Sequence, residues 1–439
     1  IETLILNGVI LTGDDASSYT LDVSNCNHLK HLDIGSSNIT SVNLPTSAVL
    51  ENYILSNTGI NSFVFKDQSF VENIDLTGCN NCLNVDIENC ASLRSITIPS
   101  SVQTIKIINC DIFETLTYPY SSVNSSISPL TSIIVDNCPS LITVDIHGQN
   151  NTTLVVNLVG ATGLQTLNLS GTSANSIILP GSFTSLTSLD ISYTNISYLT
   201  YNGVTPKDYL DLSAFTMKSL NCNSNKSLTK IVCKNIQGTT CNLMDYAFYG
   251  CSALTRIVGN YKVTGSVVFR SCSQFTLNPS SIYASFSPSD FITDPNGTNI
   301  SFNTSTLLQT FYGCSSMSYD DFKRIIAALP STITTLESAF YGCSNINGAI
   351  WRGLFSTVPN TLSIKQAFYG TKLSGIIYSR KSTYSSADNS TWGTFDYIPN
   401  VNDMDYAFSG TNINYIDNNV FKYCTNATDI DGIFSNCLI

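Results

Sequence analysis

An apolar-polar-apolar triplet returns about every 11 residues through the first half of this chain, and no other feature restricts its fold so tightly. Leu32-Asp33-Ile34, Ile74-Asp75-Leu76, Val85-Asp86-Ile87, Val144-Asp145-Ile146 and Leu189-Asp190-Ile191 carry the beat. Between them come Val42-Asn43-Leu44-Pro45, Ile96-Thr97-Ile98-Pro99 and Ile177-Ile178-Leu179-Pro180. Successive side chains of a strand point to opposite faces, so each triplet buries its two apolar residues and leaves the middle one wet. Two short parallel strands per turn of roughly 22 residues predict a stacked solenoid.

The cysteines follow the same beat. Cys26, Cys90 and Cys138 each occur as Asn-Cys-x-x-Leu, Cys79 and Cys110 take the equivalent place after Leu76 and Ile107, and Thr172 and Thr194 take it elsewhere. A site that accepts Cys or Thr wants a small side chain close to backbone, which is the turn position after the strand in a leucine-rich repeat. The 15 cysteines are therefore read as buried, reduced thiols rather than disulfides, and the odd total agrees. Cys79-Asn80-Asn81-Cys82 is a lone CxxC without the second pair that zinc needs or the βαβ context of a redox motif.

The second half uses a different motif from about residue 235. Ala247-Phe248-Tyr249-Gly250-Cys251 returns as Thr310-Phe311-Tyr312-Gly313-Cys314 and Ala339-Phe340-Tyr341-Gly342-Cys343. Weaker copies stand at Ala367-Phe368, Ala407-Phe408, Val420-Phe421 and Ile433-Phe434. A small residue beside a large ring, then a glycine free to turn left-handed, then a tucked Cys or Thr makes one repeat. This motif resembles the BspA-like leucine-rich repeats of bacterial surface proteins, whose core is Ala-Phe-x-x-Cys-x-x-Leu. The resemblance implies adhesion to host proteins, other cells or glycans. The first half keeps Cys-x-x-Leu but lacks the Ala-Phe. Expected, then, is a β-rich leucine-rich-repeat solenoid: a regular part over 1–234 and BspA-like repeats with inserted loops over 235–439, continuous with one another. One amphipathic helix is expected over 318–329, with Ser318 as cap, acids at 320 and 321 and apolar residues at 322, 325, 326 and 329. Residues 278–305 and 380–400, rich in Ser, Asn, Asp and Pro, read as inserted loops.

Composition restricts function more by exclusion than by indication. Net charge is −11 and only 12% of residues are charged, which disfavours nucleic acid and anionic membranes. No apolar run approaches the ~20 residues of a membrane span. HExxH, GxSxG, phosphate-loop and dinucleotide fingerprints do not occur, and the three histidines, His28, His31 and His147, show no ligand spacing. No catalytic residue, metal site or cofactor is assigned. Asp294-Pro295-Asn296-Gly297-Thr298-Asn299 reads as a plain turn, since no downstream Glu completes a calcium loop.

Two kinds of residue remain as ligand candidates. Asp22, Asp33, Asp75, Asp86, Asp145, Asp190 and Asp211 point outward, either as a solvated strand face or as a polar strip for cations or sugar hydroxyls. Tyr118, Tyr120, Tyr193, Tyr198, Tyr201, Tyr378 and Tyr384 lie where the repeat does not demand a ring, and a tyrosine suits stacking on sugars or anchoring a protein. The binding candidates are these seven tyrosines with Asp190 and Asp211. The chain thus reads as a non-catalytic recognition or adhesion protein of the cell exterior, binding a surface protein or glycan. The alternative is a virion component, a phage tail fibre or receptor-binding protein, distinguished by oligomeric state. A polysaccharide-active enzyme is a third class, and the sequence places no acid pair for it. Apolar ends at Ile1-Glu2-Thr3-Leu4-Ile5-Leu6 and Ile433 to Ile439 raise the expectation that a further domain, a partner or another copy covers them.

Overall fold

The computed structural model describes residues 1–12, 18–46, 49–120, 127–233, 241–277, 300–383 and 385–438. The chain divides into two compact units, Ile1–Asp208 and Tyr209–Ile439, while the change of motif falls near 235, inside the second.

In the first unit the strands are two to five residues long because each triplet supplies only two inward positions. One parallel ladder runs through Ser62–Lys66, Asn84–Glu88, Thr104–Ile108, Ser132–Asp136, Val155–Asn157, Ser176–Leu179 and Thr200–Tyr201. A second runs through Asn73–Asp75, Ser95–Thr97, Thr115–Thr117, Thr143–Asp145, Thr166–Asn168 and Ser188–Asp190. Shorter ladders precede them, Thr3–Ile5 with His31–Asp33 and Asn52–Ile54, and Thr20–Asp22 with Ser41–Asn43. The 11-residue beat is thus two strands per turn, each paired to the strand two places on. The two kinds of triplet do not sort by sheet: Ile74-Asp75 is in register with Ile96-Thr97, whereas Val85-Asp86 belongs to the other ladder. Inward residues form columns such as Val85, Ile105 and Ile133, none more than 1% exposed. Each such burial contributes roughly 1.5–3 kcal/mol.

Turns are fixed by a second column. Asp67, Asn89, Asn109 and Asn137 all have φ between 48° and 59°. Asn tolerates this left-handed conformation better than most residues. Each amide also bonds the neighbouring turn: Asn89 Nδ2 donates to Asp67 Oδ1 (2.7 Å), Asn109 to Asn89 (2.8 Å) and Asn137 to Asn109 (2.9 Å). The residue after the left-handed one dives inward, as Cys does after Asn89, Asn109, Asn137 and Gly78. Cys79 Sγ donates to Leu55 O at 3.3 Å, and Thr172 Oγ1 does the same to Ile146 O at 3.0 Å. All 15 cysteines are free thiols, and all but Cys26 and Cys437 are buried.

The second unit keeps parallel pairing but shortens it. Leu210–Leu212, Lys230–Cys233 and Arg256–Val258 form one ladder, Cys241–Leu243, Tyr261–Val263 and Ile300–Phe302 another, and Asn347–Ala349, Lys372–Ile377 and Asn412–Ile416 a third. Its core is a phenylalanine column. Phe248, Phe269, Phe311, Phe340 and Phe368 stack at centroid distances of 5.6, 5.5, 5.5 and 5.9 Å with planes within 10°. Phe269 belongs to a copy that the sequence hides, Val268-Phe269-Arg270-Ser271-Cys272, with Val in place of Ala and Arg in place of Tyr. Half-buried beside this core, Tyr312, Tyr341 and Tyr369 stack at 4.5 Å, and the Arg270 guanidinium lies 4.6 Å from the Tyr312 ring centre.

The helix α1 (Tyr319–Ala328) starts at Ser318, whose hydroxyl caps Asp321 N, while Asp321 bonds back to Ser318 N and accepts from Thr276 Oγ1 at 2.6 Å. Its apolar face sets Phe322 edge-on against Phe340 and Phe368. The insertion near 380–400 is pinned by Arg352, which donates to Ser379 O and Trp392 O, and by an Arg380–Asp396 ion pair of 2.7 Å. The other insertion lies largely outside the described residues, as do the 294–299 turn and Tyr384.

Candidate functional site

The outward aspartates have a local task that the triplet pattern conceals. Oδ1 of Asp22, Asp33, Asp75, Asp145, Asp190 and Asp211 accepts the backbone N–H two residues on, at 2.9–3.2 Å. Asn157, Asn168 and Asn221 do the same. A short carboxylate or amide at the strand end thus closes the turn, which is why Asp and Asn recur there. Asp86 differs: it and Glu88 lie between Lys66 and Lys106, with Lys66 Nζ 2.8 Å from Asp86 Oδ2. The lysines neutralise that row, and the Asp22 carboxyl is held below its usual pKa chiefly by the Ser24 hydroxyl.

The candidate tyrosines separate on inspection. Tyr118 is 1% exposed, and its hydroxyl donates to Ser100 O (2.9 Å) or Val102 O (2.8 Å). Its ring is core, because Leu116-Thr117-Tyr118-Pro119 repeats the Ile96-Thr97-Ile98-Pro99 pattern one turn on and puts Tyr118 at an inward position. Tyr201 is half-buried on the first ladder, opposite Leu179. Asp211 and Tyr378 lie in the second unit, the latter with the Arg352 guanidinium 4.3 Å from its ring centre.

Tyr120, Asp190 and Tyr193, however, are brought to one side of the second ladder. Thr117, Asp145, Asn168 and Asp190 are consecutive partners there. Continuing that register, Tyr120, Gly148, Gly171 and Tyr193 form a parallel row beside them, with Gly148 N bonded to Ser170 O and Gly171 N to Ser192 O. Tyr120 leans over Gly148: a Cβ there would lie 2.2 Å from its ring. It also stacks on His147 at 5.2 Å, and His147 Nδ1 is 2.7 Å from Asp145 Oδ1. Over Gly171 a Cβ would meet nothing nearer than the Gly148 backbone at 3.5 Å. The result is a shallow trough floored by Gly171, with Tyr120 (54% exposed) at one end and Tyr193 (66%) at the other. Gly171 and Tyr193 sit at φ of 66° and 56°, the left-handed turn of this row. Asp145, Asn168 and Asp190 line its flank. Among the described residues Asp145 Oδ2 and Asn168 Nδ2 have no hydrogen-bond partner within the chain.

Such a trough offers two aromatic faces, one uncovered glycine that lets a ligand approach backbone, and donors and acceptors alongside. Asp145 and Asp190 stand on the same sheet face with Asn168 between them. His147 was not a sequence candidate; its signal was an aromatic ring two residues past a turn-closing Asp. Among the described residues no group of three His, Cys, Asp or Glu could hold a metal ion, and no helix is long and apolar enough to cross a membrane.

No family model matches the chain, and no curated protein matches it. Among solved structures, it is similar to a leucine-rich repeat protein from Bacteroides ovatus over 95% of its length and 87% of that chain, with 16% identity and a TM-score of 0.24. It is also similar to the plant peptide hormone receptor RGFR1 in complex with RGF2, over 98% of its length and 81% of that chain, with 14% identity and a TM-score of 0.21.

Proposed function

We propose that this chain is a non-catalytic recognition solenoid of the cell exterior, an adhesion protein that holds a surface glycan or protein in the Gly171 trough. One observation carries the reading: Tyr120 and Tyr193 are exposed at the two ends of a row that glycine keeps open between them. Exposed rings cost solvation, and the solenoid core does not need these two. The Ala-Phe-x-x-Cys-x-x-Leu repeats of the second unit support a place among BspA-like surface proteins, and the low charge and plentiful hydroxyls suit an exterior setting.

The test is a binding screen of the purified chain against arrayed glycans and cell-surface proteins, repeated with Tyr120→Ala and Tyr193→Ala. Each variant should keep the wild-type melting curve and weaken capture about tenfold, the loss of one ring contact. Capture that is indifferent to both substitutions would sink the trough as the binding surface. Light scattering on the same sample reads the oligomeric state; a trimer that captures only bacterial polysaccharide would replace adhesion with a virion role.

A further inference from the structure

On the same unit, past the trough, the connections following Gly171 and Tyr193 leave a groove of about 290 Å³. Its walls are Thr152, Asn175, Ser176, Asn195, Ser197 and Tyr198, over a floor formed by the buried side chains of Ile177 and Ile196. None of the lining residues is charged. Tyr198, 47% exposed, supplies the one aromatic face.

We propose that this groove is a subsite for one neutral pyranose. The argument is chemical complementarity. Serine and threonine hydroxyls and asparagine amides each both donate and accept, which is what sugar hydroxyls require of their partners. A carboxylated or phosphorylated ligand would leave water for a groove with no counter-charge, an uncompensated desolvation. A pyranose also has an apolar C–H face, and the Tyr198 ring is the surface on which it can rest. The volume is at the small end of ligand pockets, roughly 300 Å³, which admits a single ring better than a peptide segment. The proposal rests on the recognition reading in taking a saccharide as ligand, but on different residues. Thr172, the residue after Gly171, is turned inward and 1% exposed, so trough and groove stand on either side of a buried residue.

The experiment titrates the whole chain with the methyl glycosides of glucose, galactose, mannose and N-acetylglucosamine, and with methyl glucuronide, followed by saturation-transfer NMR and calorimetry. Expected is saturable binding of at least one neutral glycoside, weaker by about tenfold in Tyr198→Ala and little changed in Tyr193→Ala, with the glucuronide weaker still. Because Tyr198 is half-exposed, the variant should melt with the wild type; Asn175→Leu, at an exposed position, serves as the second variant. No saturation by any neutral glycoside, or binding unmoved by Tyr198→Ala and Asn175→Leu alike, overturns the subsite. Loss of glycoside binding in the Tyr198 and Asn175 variants keeps the subsite, whereas the trough is judged by capture of arrayed glycans and surface proteins in Tyr120→Ala and Tyr193→Ala, so the two readings fail separately.

Discussion

The thiol of Cys343 donates to the carbonyl oxygen of Phe311 in the preceding turn, 3.0 Å from it. Cys314 makes the same bond to Phe269, Cys272 to Phe248 and Cys251 to Cys222, so one weak hydrogen bond is repeated up the second unit. Cys343→Ala removes the bond and leaves a void where sulfur packed, and should cost about 1–2 kcal/mol. Cys343→Thr should cost less, because Thr172 makes the equivalent inter-turn bond in the first unit. Urea titration of the two variants beside wild type checks the order.

Alkali should weaken the fold. Burial pushes the thiols of Cys82 and Cys424 up to about 11 and those of Cys251 and Cys343 to about 12, from an ordinary 9.0. Burial likewise raises the Tyr118 phenol above its ordinary 10.0, because that ring is core. These groups keep their protons in the folded state and lose them in the unfolded one, so their contribution is complete below pH 9 and drains away between pH 9 and 12. Each thiol costs up to about 1.4 kcal/mol per pH unit in that window. The urea midpoint should therefore be flat from pH 7 to 8.5 and fall steeply above 9.5; a flat profile to pH 11 would mean the thiols are solvated.

The solenoid was legible because its signals are local and repeated. Ile74-Asp75-Leu76 needs only a period of two to declare an inward pair, and Ser318 followed by Asp320, Asp321 and Phe322 declares a helix start within one turn of chain. What stayed hidden depends on register between turns. Phe269 is recognisable as a repeat only once its ring is seen between Phe248 and Phe311, since Val268 and Arg270 replace the marker residues. Tyr118 looked like a loop residue because a ring stands where the neighbouring turn has Ile98. The trough joins residues 120, 148, 171 and 193, a row that no window of sequence contains.

The Arg380–Asp396 pair should govern how firmly the insertion near 380–400 is held. Asp396 is nearly buried, accepts from Arg380 Nε at 2.7 Å and from Gly393 N at 2.8 Å, and the guanidinium lies 3.5 Å from the Tyr423 ring centre. Asp396→Ala leaves that guanidinium without its carboxylate and should destabilise by about 2–4 kcal/mol, somewhat under a fully enclosed pair because Arg380 keeps some solvent. For a unit of this size that corresponds to roughly 5–15 °C in Tm. Asp396→Asn, which preserves the bond to Gly393 N, should lose about half as much.

Gly148 is where the architecture of the trough is most exposed to a single atom. Its φ is 73°, a conformation that costs a residue with a side chain about 1 kcal/mol, and an added methyl would stand 2.2 Å from two Tyr120 ring carbons. Gly148→Ala must therefore swing Tyr120 off its place and break its stacking on His147. The expected result is a stability loss of about 1–2 kcal/mol together with a loss of ligand capture equal to that of Tyr120→Ala. Gly171→Ala is the control for the ring's position and the strain alone: it shares the backbone strain at φ 66° and its methyl meets only the Gly148 backbone at 3.5 Å, so Tyr120 stays, while capture still falls because the methyl stands on the trough floor. If NMR shows the Tyr120 ring unmoved in Gly148→Ala, the ring does not rest on Gly148. If the ring moves and capture is unchanged, ligand meets the chain elsewhere.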